Sequence, residues 1–281
     1  MQTQREIRHL LESRGLAPRK SLGQNFLIDQ NLIRRLVEAS GAAPGDLILE
    51  VGPGTGALTE ALLARGCRVV AVEVDRGLAA LLRERLADPQ AALNAPPEAS
   101  FTLIEGDALA GKHALNPDAA AALGSGPFHL VANLPYGAAT PLLLALLIDH
   151  PRCGSMHITI QREVADRLLA SPGTKEYGPI TVVARALARP ERLATLPPEC
   201  FWPRPDVTSA MVSLTRLPQP LTDRPRALAD FAQTLFTKRR KQLGAVLGRQ
   251  FPFPPDIHPD QRAEALTPEK FVALARAAAS L

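Results

Sequence analysis

Short apolar runs alternate with helical patterns along the first 170 residues of the chain. Five runs, rich in leucine and β-branched residues, have the length and continuity of strands that are buried on both faces of a parallel sheet. They cover residues 47–51, 68–73, 101–105, 128–132 and 155–160. Because most of these runs are separated by helically spaced leucines, the pattern predicts an α/β fold with a parallel sheet.

Helix signals lie beside the predicted strands. Residues 1–18 form a basic segment with apolar residues on one face. Asp29 is a good N-cap for the helix that follows it. Thr140 and Pro141 predict the start of another helix, with threonine as the N-cap and proline in the first helical position. A further helix is expected over residues 162–170, directly after the fifth strand.

The remaining segments are predicted from composition and apolar runs. Residues 88–100 and 110–127 are rich in alanine and proline and are expected to be loops. Two more apolar runs, 180–186 and 207–214, predict an antiparallel pair of strands that closes the sheet. Residues 218–225 contain three prolines and are interpreted as a linker, followed by short helices.

The length of 281 residues, of which 46% are apolar, allows one large α/β domain with a small appendage. We therefore predict a domain over residues 1–216 and a small helical domain over residues 217–281. The start of the chain is charged and lacks the apolar core of a signal peptide. The longest apolar run, 142–148, is too short to span a bilayer, so a cytoplasmic protein that does not enter a membrane is expected. Three cysteines without metal or disulfide spacing are expected to be buried thiols, and no metal site is predicted.

A glycine-rich loop follows the first strand and leads into a helix. Gly52 and Gly54 let the backbone turn sharply and approach a ligand closely. The spacing also satisfies the dinucleotide fingerprint, so a NAD-dependent dehydrogenase has to be considered. Glu50 before the loop and Glu73 at the end of the second strand favour a ligand with an amine, a sulfonium and ribose hydroxyls but no phosphate. S-adenosylmethionine has these groups.

Polar residues also follow the third and fourth strands. Asp107 comes after the third strand, and Asn133-Leu134-Pro135-Tyr136 ends the fourth. Carboxyl ends of parallel strands share one crevice, where ligands bind. An exocyclic base amine is a poor nucleophile. The Asn133 side-chain oxygen, together with the backbone carbonyl of residue 134 or 135, could accept both amine hydrogens and align the lone pair with a methyl group. Tyr136 offers a face on which a splayed base can stack.

Together these motifs resemble the small-subunit rRNA adenine N6,N6-dimethyltransferases, the kasugamycin-resistance enzymes. The resemblance extends over nearly the whole chain and includes an ordered set of motifs. They are KSLGQNFL at 20–27, EVGPGTGALT at 50–59, EVD at 73–75, GDAL at 106–109, NLPY at 133–136, QREVADRL at 161–168, FWPRPDVTS at 201–209 and RRKQL at 239–243. One departure is Gly137-Ala138-Ala139, where the family commonly has a more polar run, and the stretch 110–127 looks long for the family.

The resemblance implies a class I, Rossmann-like methyltransferase sheet and a set of cofactor contacts. S-adenosylmethionine would be covered by Asn25 and Leu27, with Gly52 and Gly54 against its methionine part. Glu73 would bind its ribose and Asp107 its adenine amine. Asn133 would lie between the cofactor and the target. Further cofactor contacts are expected at Val74 and Ala108.

The resemblance also implies a target site. Asn133, Leu134, Pro135 and Tyr136 would be catalytic, and Phe201 would stack on the target adenine opposite Tyr136.

The charge distribution points to a polyanionic partner. Eleven basic and six acidic residues follow position 215, a net +5, whereas the preceding residues carry a net −1. Arg239, Arg240 and Lys241 would be exposed on a helix whose apolar residues are buried. With the resemblance they become expected phosphate contacts, as do Arg19 and Lys20.

The function that the resemblance implies is the transfer of methyl groups from S-adenosylmethionine to N6 of two adjacent adenosines near the 3′ end of 16S rRNA. The expected substrate is a pre-30S ribosomal particle during small-subunit biogenesis, and a monomeric enzyme is expected. One alternative is a large-subunit rRNA adenine methyltransferase of the macrolide-resistance kind, which shares the core motifs. Another is a ribosome-assembly checkpoint that acts mainly by binding. A dehydrogenase is a remote third alternative.

Overall fold

The computed structural model describes residues 2–111 and 114–279, which form an α/β structure. The strands are β1 (Phe26–Leu27), β2 (Leu47–Val51), β3 (Arg68–Glu73), β4 (Ser100–Glu105), β5 (Leu109–Ala110), β6 (Ala114–Leu115), β7 (Phe128–Asn133), β8 (Cys153–Gln161), β9 (Ala188–Leu196), β10 (Phe201–Trp202) and β11 (Ser209–Arg216). The helices are α1 (Gln4–Glu12), α2 (Gln30–Ser40), α3 (Ala57–Leu63), α4 (Arg76–Arg85), α5 (Pro89–Leu93), α6 (Pro117–Leu123), α7 (Ala139–Asp149), α8 (Arg162–Leu169), α9 (Pro179–Leu187), α10 (Pro225–Thr237), α11 (Leu243–Leu247) and α12 (Pro268–Ala279).

Among the described residues, the main sheet has seven strands in the order β4-β3-β2-β7-β8-β11-β9. The five strands from β4 to β8 run parallel, as the continuous apolar runs predict. The strand order reverses between β2 and β7, because β3 and β4 lie on one side of β2 and β7 and β8 on the other. This is the topological switch point at which open α/β sheets bind ligands. The predicted α/β fold is confirmed.

The antiparallel end of the sheet differs from the sequence prediction. Residues 180–186, expected to be a strand, lie in helix α9, and β11 pairs instead with β9. The helix begins at Pro179, and the Gly178 N–H donates to the Thr181 hydroxyl, so a proline start and a cap outweigh the β-branched run. Strand β9 is polar and contains Pro190, which a sheet tolerates at its edge, where β9 lies. The apolar-run criterion cannot detect such a strand.

Two smaller predictions also need correction. Helix α7 begins at Ala139, with Ala138 rather than Thr140 at the N-cap position. Pro141 still lies in the first turn, where its missing N–H costs no hydrogen bond. The expected loop 88–100 contains the short helix α5. The expected loop 110–127 contains α6 and part of the β5–β6 pair, while residues 112 and 113 lie outside the described residues.

The sheet is covered by apolar side chains on both faces. Alternation along β7 sends Leu130 and Ala132 into one cluster and Val131 into the other. The first cluster, which includes α7 and α9, continues through Leu228 of α10 and Phe271 of α12. Helix α10 packs on α9, and α12 packs on both. The C-terminal helices thus share the core of the sheet, and the boundary at residue 216 stays a prediction.

A third, smaller apolar cluster lies over the glycine loop. Ile7 and Leu11 of α1 pack there with Phe26 and Leu78, and Trp202 lies against them. Strand β1 is held by antiparallel pairing with β10, which aligns Leu27 with Phe201. The N-terminal segment is therefore fixed above the carboxyl ends of the parallel strands. No helix within residues 2–111 and 114–279 is long and apolar enough to cross a bilayer.

Candidate functional site at the carboxyl ends of the strands

A cavity of about 540 Å³ opens at the switch point of the sheet. Its walls come from the N-terminal segment and from the loops after β2, β3, β4 and β7. All nine residues predicted to bind a cofactor line it, namely Asn25, Leu27, Gly52, Gly54, Glu73, Val74, Asp107, Ala108 and Asn133. The volume lies in the usual range for small-molecule sites. Side chains from positions 25 to 133 thus meet in one place.

The glycine loop is packed tightly against two neighbouring segments. Gly52 and Gly54 have positive φ angles of 70° and 62°. A Cβ on Gly54 would lie 2.8 Å from the Phe26 ring, and one on Gly52 would lie 3.1 Å from the Pro135 ring. Any side chain here would displace β1 or the loop after β7. The glycines therefore bring the N-terminal segment and the Asn133–Tyr136 loop together around the cavity.

Glu73 is a buried carboxylate at the end of β3. Its two oxygens accept the N–H groups of Gly54 at 3.3 Å and of Asp75 at 2.9 Å. Burial raises the pKa of Glu73 to about 7, against these two hydrogen bonds, which lower it. Because each carboxylate oxygen has a second lone pair, both can still accept a hydroxyl from a ligand.

Glu50 is not the charged group that the sequence suggested. Its side chain is almost fully buried and accepts the Thr59 hydroxyl at 2.7 Å. Burial, with a smaller contribution from the nearby Glu73, raises the pKa of Glu50 to about 8, against the hydrogen bond from Thr59, which lowers it. Glu50 is therefore mainly neutral at pH 7 in the protein alone. A cationic ligand in the cavity would favour its ionised form.

The loops after β3 and β4 supply an apolar and a polar contact. Val74 is 46% exposed, an unusual state for valine, and lines the cavity. The Asp107 carboxylate accepts the Leu109 N–H at 2.9 Å and stays exposed. Ala108 is buried beside it. The combination suits a flat heterocycle with one polar edge.

The Asn133–Tyr136 loop is held by bonds from three directions. Asn133 Nδ2 donates to the Asn25 carbonyl at 2.9 Å, and the Thr159 hydroxyl donates to Asn133 Oδ1. The Leu134 N–H donates to the Thr159 carbonyl at 3.1 Å. The Pro135 carbonyl accepts the Ala138 N–H at 3.0 Å and so belongs to a turn.

The two predicted stacking residues differ in position. Tyr136 lines the cavity and is half-buried, and its hydroxyl lies 3.0 Å from Ser209 Oγ. Burial raises the pKa of Tyr136. Phe201 is only 3% exposed and packs in the core on the face opposite α7, outside the cavity lining. In this conformation the ring of Phe201 supports Leu27 rather than facing the cavity.

Arg239, Arg240 and Lys241 lie in a turn and not on a helix, because α10 ends at Thr237. Arg239 pairs with Glu264 and donates to the carbonyls of Lys175 at 2.6 Å and Thr174 at 2.7 Å. Arg240 and Lys241 are exposed. The three adjacent cations therefore have different surroundings, with Arg239 used to join two segments of the chain.

Sequence reasoning missed several residues that support the site. The Thr159 hydroxyl donates to Asn133, and the Ser209 hydroxyl is hydrogen-bonded to Tyr136. Gln2 donates to the Thr55 carbonyl in the glycine loop at 2.9 Å. The signal for Thr159 was present, since alternate polar residues run through the apolar strand β8. They are Ser155, His157, Thr159 and Gln161. No signal in the sequence indicated the contact of Gln2.

The strand order, the glycine loop at the switch point and the carboxylate at the end of β3 are those of a Rossmann-like methyltransferase. Comparison with known proteins identifies the family of methyltransferases to which the chain belongs. Residues 15–278 match the family model for ribosomal RNA adenine dimethylase. The chain therefore belongs to the ribosomal RNA adenine dimethylase family.

Curated relatives are similar over most of the chain. A protein named ribosomal RNA small subunit methyltransferase A from Streptomyces griseus is 39% identical, over 96% of this chain and 92% of its own. The protein of the same name from Mycobacterium tuberculosis is 40% identical, over 96% and 86%. Another from Kineococcus radiotolerans is 42% identical, over 86% and 77%.

Two solved structures share the fold. A dimethyladenosine transferase from Plasmodium falciparum superposes with a TM-score of 0.69 at 20% identity, over 88% of this chain and 94% of that one. The 23S rRNA methyltransferase ErmE superposes with a TM-score of 0.66 at 25% identity, over 90% of this chain and 99% of that one. The protein is thus an rRNA adenine dimethyltransferase by family, and it shares its fold with these two structures.

Proposed function

We propose that the protein transfers methyl groups from S-adenosylmethionine to N6 of two adjacent adenosines near the 3′ end of small-subunit (16S) rRNA. The single observation that carries the choice of subunit is the set of relatives, near 40% identical over most of the chain, that act by name on the small subunit. The proposed substrate is a pre-30S particle in the cytoplasm, and the proposed active form is a monomer.

The residues of the cavity fit S-adenosylmethionine. Glu73 offers two carboxylate oxygens with free lone pairs to ribose hydroxyls, and Val74 with Asp107 offers an apolar face and an acceptor to an adenine. The backbone of Gly52 and Gly54 would adjoin the methionine part. Asn25 and Leu27 would cover the ligand. A pyrophosphate beside Glu73 would be repelled by the ionised form of that side chain, which weighs against NAD.

When bound, S-adenosylmethionine supplies an electrophilic methyl group on a sulfonium. The residues of this chain would orient the target amine. Asn133 Oδ1 keeps one lone pair beyond its bond from Thr159. The Pro135 carbonyl points into the turn toward the Ala138 N–H, so we assign the second acceptor to the Leu134 carbonyl. Two acceptors on the two amine hydrogens turn the nitrogen lone pair toward the methyl group.

No strong base is required at this site, because the amine becomes acidic as it gains the methyl group. Asn133 has no ionisable side chain, and the pKa of Tyr136 is raised by burial, so the phenol stays neutral at physiological pH. Tyr136 would supply a stacking face for the splayed base. Phe201 would have to leave the core to stack opposite it, since its ring is buried in this conformation.

The test is methyl transfer from labelled S-adenosylmethionine to three substrates: small-subunit particles from cells lacking this protein, naked 16S rRNA and large-subunit rRNA. Two adjacent N6,N6-dimethyladenosines in the small-subunit particle are expected. Labelling of 23S rRNA alone would instead support the activity of the structurally similar ErmE.

A second measurement separates catalysis from a checkpoint role. The Asn133→Ala variant, which should bind particles but not methylate them, is expressed in cells that lack the protein. Normal maturation of small subunits in those cells would show that binding is the more important role. A maturation defect equal to that of the deletion would favour the chemistry.

A further inference from the structure

Two buried hydroxyl groups lie directly beneath the Asn133–Tyr136 loop. Thr159 on β8 and Ser209 on β11 are each 1% exposed. In the sheet register Thr159 is the partner of both Asn133 and Met211, and Ser209 is the partner of Gln161. Since side chains two residues apart share a face, both hydroxyls and the Asn133 side chain lie on the same face of the sheet.

Thr159 fixes the orientation of the Asn133 amide. The Asn25 carbonyl can only accept, so the Asn133 atom that faces it at 2.9 Å must be the Nδ2 donor. Asn133 Oδ1 then faces Thr159, whose hydroxyl donates to it. The Thr159 carbonyl also accepts the Leu134 N–H at 3.1 Å. One residue thus holds the side chain of Asn133, which is one proposed amine acceptor, and the N–H of Leu134, the residue whose carbonyl is the other.

Ser209 plays the corresponding part for Tyr136. Its Oγ is buried and lies 3.0 Å from the oxygen of the half-buried phenol. The bond fixes the tilt of the ring, because the phenol is attached at one end to the loop and at the other to β11. A ring free to rotate about its side-chain bonds would lose entropy when a base stacks on it.

We propose that Thr159 and Ser209 are positioning residues with separate effects, Thr159 on the methyl-transfer step and Ser209 on capture of the target base. This inference rests on the proposed function. Thr159 acts through the acceptors that align the amine, so its loss lowers kcat with little change in KM for RNA. Ser209 acts through a stacking surface, so its loss raises KM with little change in kcat.

The first experiment compares Thr159→Val, which keeps shape but removes the donor, with Thr159→Ser, which keeps the hydroxyl. Single-turnover methylation of small-subunit particles should fall about tenfold in the valine variant and stay within about threefold in the serine variant. Thr181→Val is the matched control. Thr181 is equally buried and donates to the Arg167 carbonyl at 2.5 Å, but it lies on α9 away from the cavity. It should lose stability to a similar degree without losing rate.

A second readout does not depend on activity. In protein labelled with ¹⁵N-asparagine, the side-chain amide resonances of Asn133, assigned by their loss in Asn133→Ala, should shift in Thr159→Val and stay in place in Thr159→Ser. An unchanged amide signal and an unchanged rate in Thr159→Val would overturn the proposed role of Thr159.

Ser209→Ala completes the test. It should raise KM for the particle by about threefold to tenfold at nearly constant kcat. A fall in kcat with unchanged KM would overturn the proposed division of roles.

Asn133→Ala, measured in parallel, separates this inference from the proposed function. A slow Asn133→Ala with an unaffected Thr159→Val contradicts only the inference, whereas an unaffected Asn133→Ala contradicts the orientation mechanism on which both depend.

Discussion

Two regions of the molecule contain clustered ionisable side chains: the cavity at the carboxyl ends of the strands and the basic turn at residues 239–241. The burial and the bonding partners of these side chains differ between the two regions. In the cavity, Glu50 and Glu73 are buried and have raised pKa values. In the turn, Arg239 is bonded to Glu264 and two carbonyls, while its neighbours Arg240 and Lys241 are exposed. The acidic side chains of the cavity therefore remain available to a ligand. In the turn, the least exposed cation, Arg239, is already bonded within the protein.

The difference shows why a charge count alone could not locate the RNA contacts. The net +5 after position 215 includes Arg239, whose guanidinium is already satisfied. A carboxylate buried with spare lone pairs, in contrast, costs free energy that a ligand can recover, so it marks a binding site more sharply than an exposed cation does. The comparison can be tested by removing charges and polar groups from each region.

The largest effect is expected in the cavity, for Asn133→Ala. The variant loses one of two amine acceptors and the bond that joins the loop to Asn25. Methyl transfer should fall by about a hundredfold or more, as when one preorganised polar group is removed from other active sites. Affinity for small-subunit particles, measured by filter binding, should change by less than about threefold. Asn31→Ala, an exposed amide on α2, is the control and should leave both quantities unchanged. A rate near that of the wild type would exclude the orientation mechanism.

Next comes Glu73→Ala, which should weaken S-adenosylmethionine binding by roughly 1.5–3 kcal/mol, through loss of a charge-assisted acceptor. Calorimetry with S-adenosylmethionine measures this directly. Glu105→Ala is a matched control, since Glu105 is the register partner of Glu73 on β4 but is exposed. Equal affinities for the two variants would show that Glu73 does not bind the ribose.

The sequence predicted the residues of the cavity more accurately than the surroundings of the basic turn. Glycines, a strand-end carboxylate and a proline-containing loop are local signals, so Gly52, Gly54, Glu73 and Asn133 could be placed at one crevice from sequence alone. Contacts between distant segments have no local signal, and these include Gln2 on the glycine loop and Arg239 on residues 174 and 175. The helix α9 was missed because its β-branched residues are buried on all sides, as strand residues are.

Arg239→Ala should affect stability rather than RNA binding. The substitution removes an ion pair with Glu264 and two hydrogen bonds to the carbonyls of Thr174 and Lys175, so the free energy of unfolding should fall by about 1–2 kcal/mol in urea titrations. Arg240→Ala, one residue away and exposed, should change it by less than about 0.5 kcal/mol. Equal effects of the two substitutions would contradict the different surroundings that the structure gives them.

The exposed pair provides the complementary measurement. If Arg240 and Lys241 contact phosphates, replacing both with alanine should reduce the slope of log affinity against log salt by about 1.5, at about 0.7–0.9 per contact. Cognate and unrelated RNA should be affected alike, because phosphate contacts carry no sequence information. An unaltered slope would show that this turn is a solvated surface, and Arg19 and Lys20 would become the next residues to test.

The effect expected for Glu50→Gln is a trend of stability with pH rather than a single change in rate or affinity. Burial raises the pKa of Glu50 to about 8, from an ordinary value of 4.5. Between these two values the native state binds more protons than the unfolded state, so the stability that Glu50 contributes is complete below pH 4.5 and is lost as the pH rises to 8. Glutamine keeps the acceptor for Thr59 and does not titrate. The unfolding free energy of the variant should therefore gain on that of the wild type by up to about 1 kcal/mol per pH unit across this window.

Glu84→Gln is the control, because Glu84 is exposed and its pKa is lowered by Arg14, so no gain is expected above pH 5. Suppose instead that the difference in unfolding free energy between Glu50→Gln and wild type does not vary from pH 5 to 8. Glu50 would then be ionised already in the protein alone. The cavity would carry a permanent charge, as the basic turn does, and a ligand would not be needed to ionise Glu50.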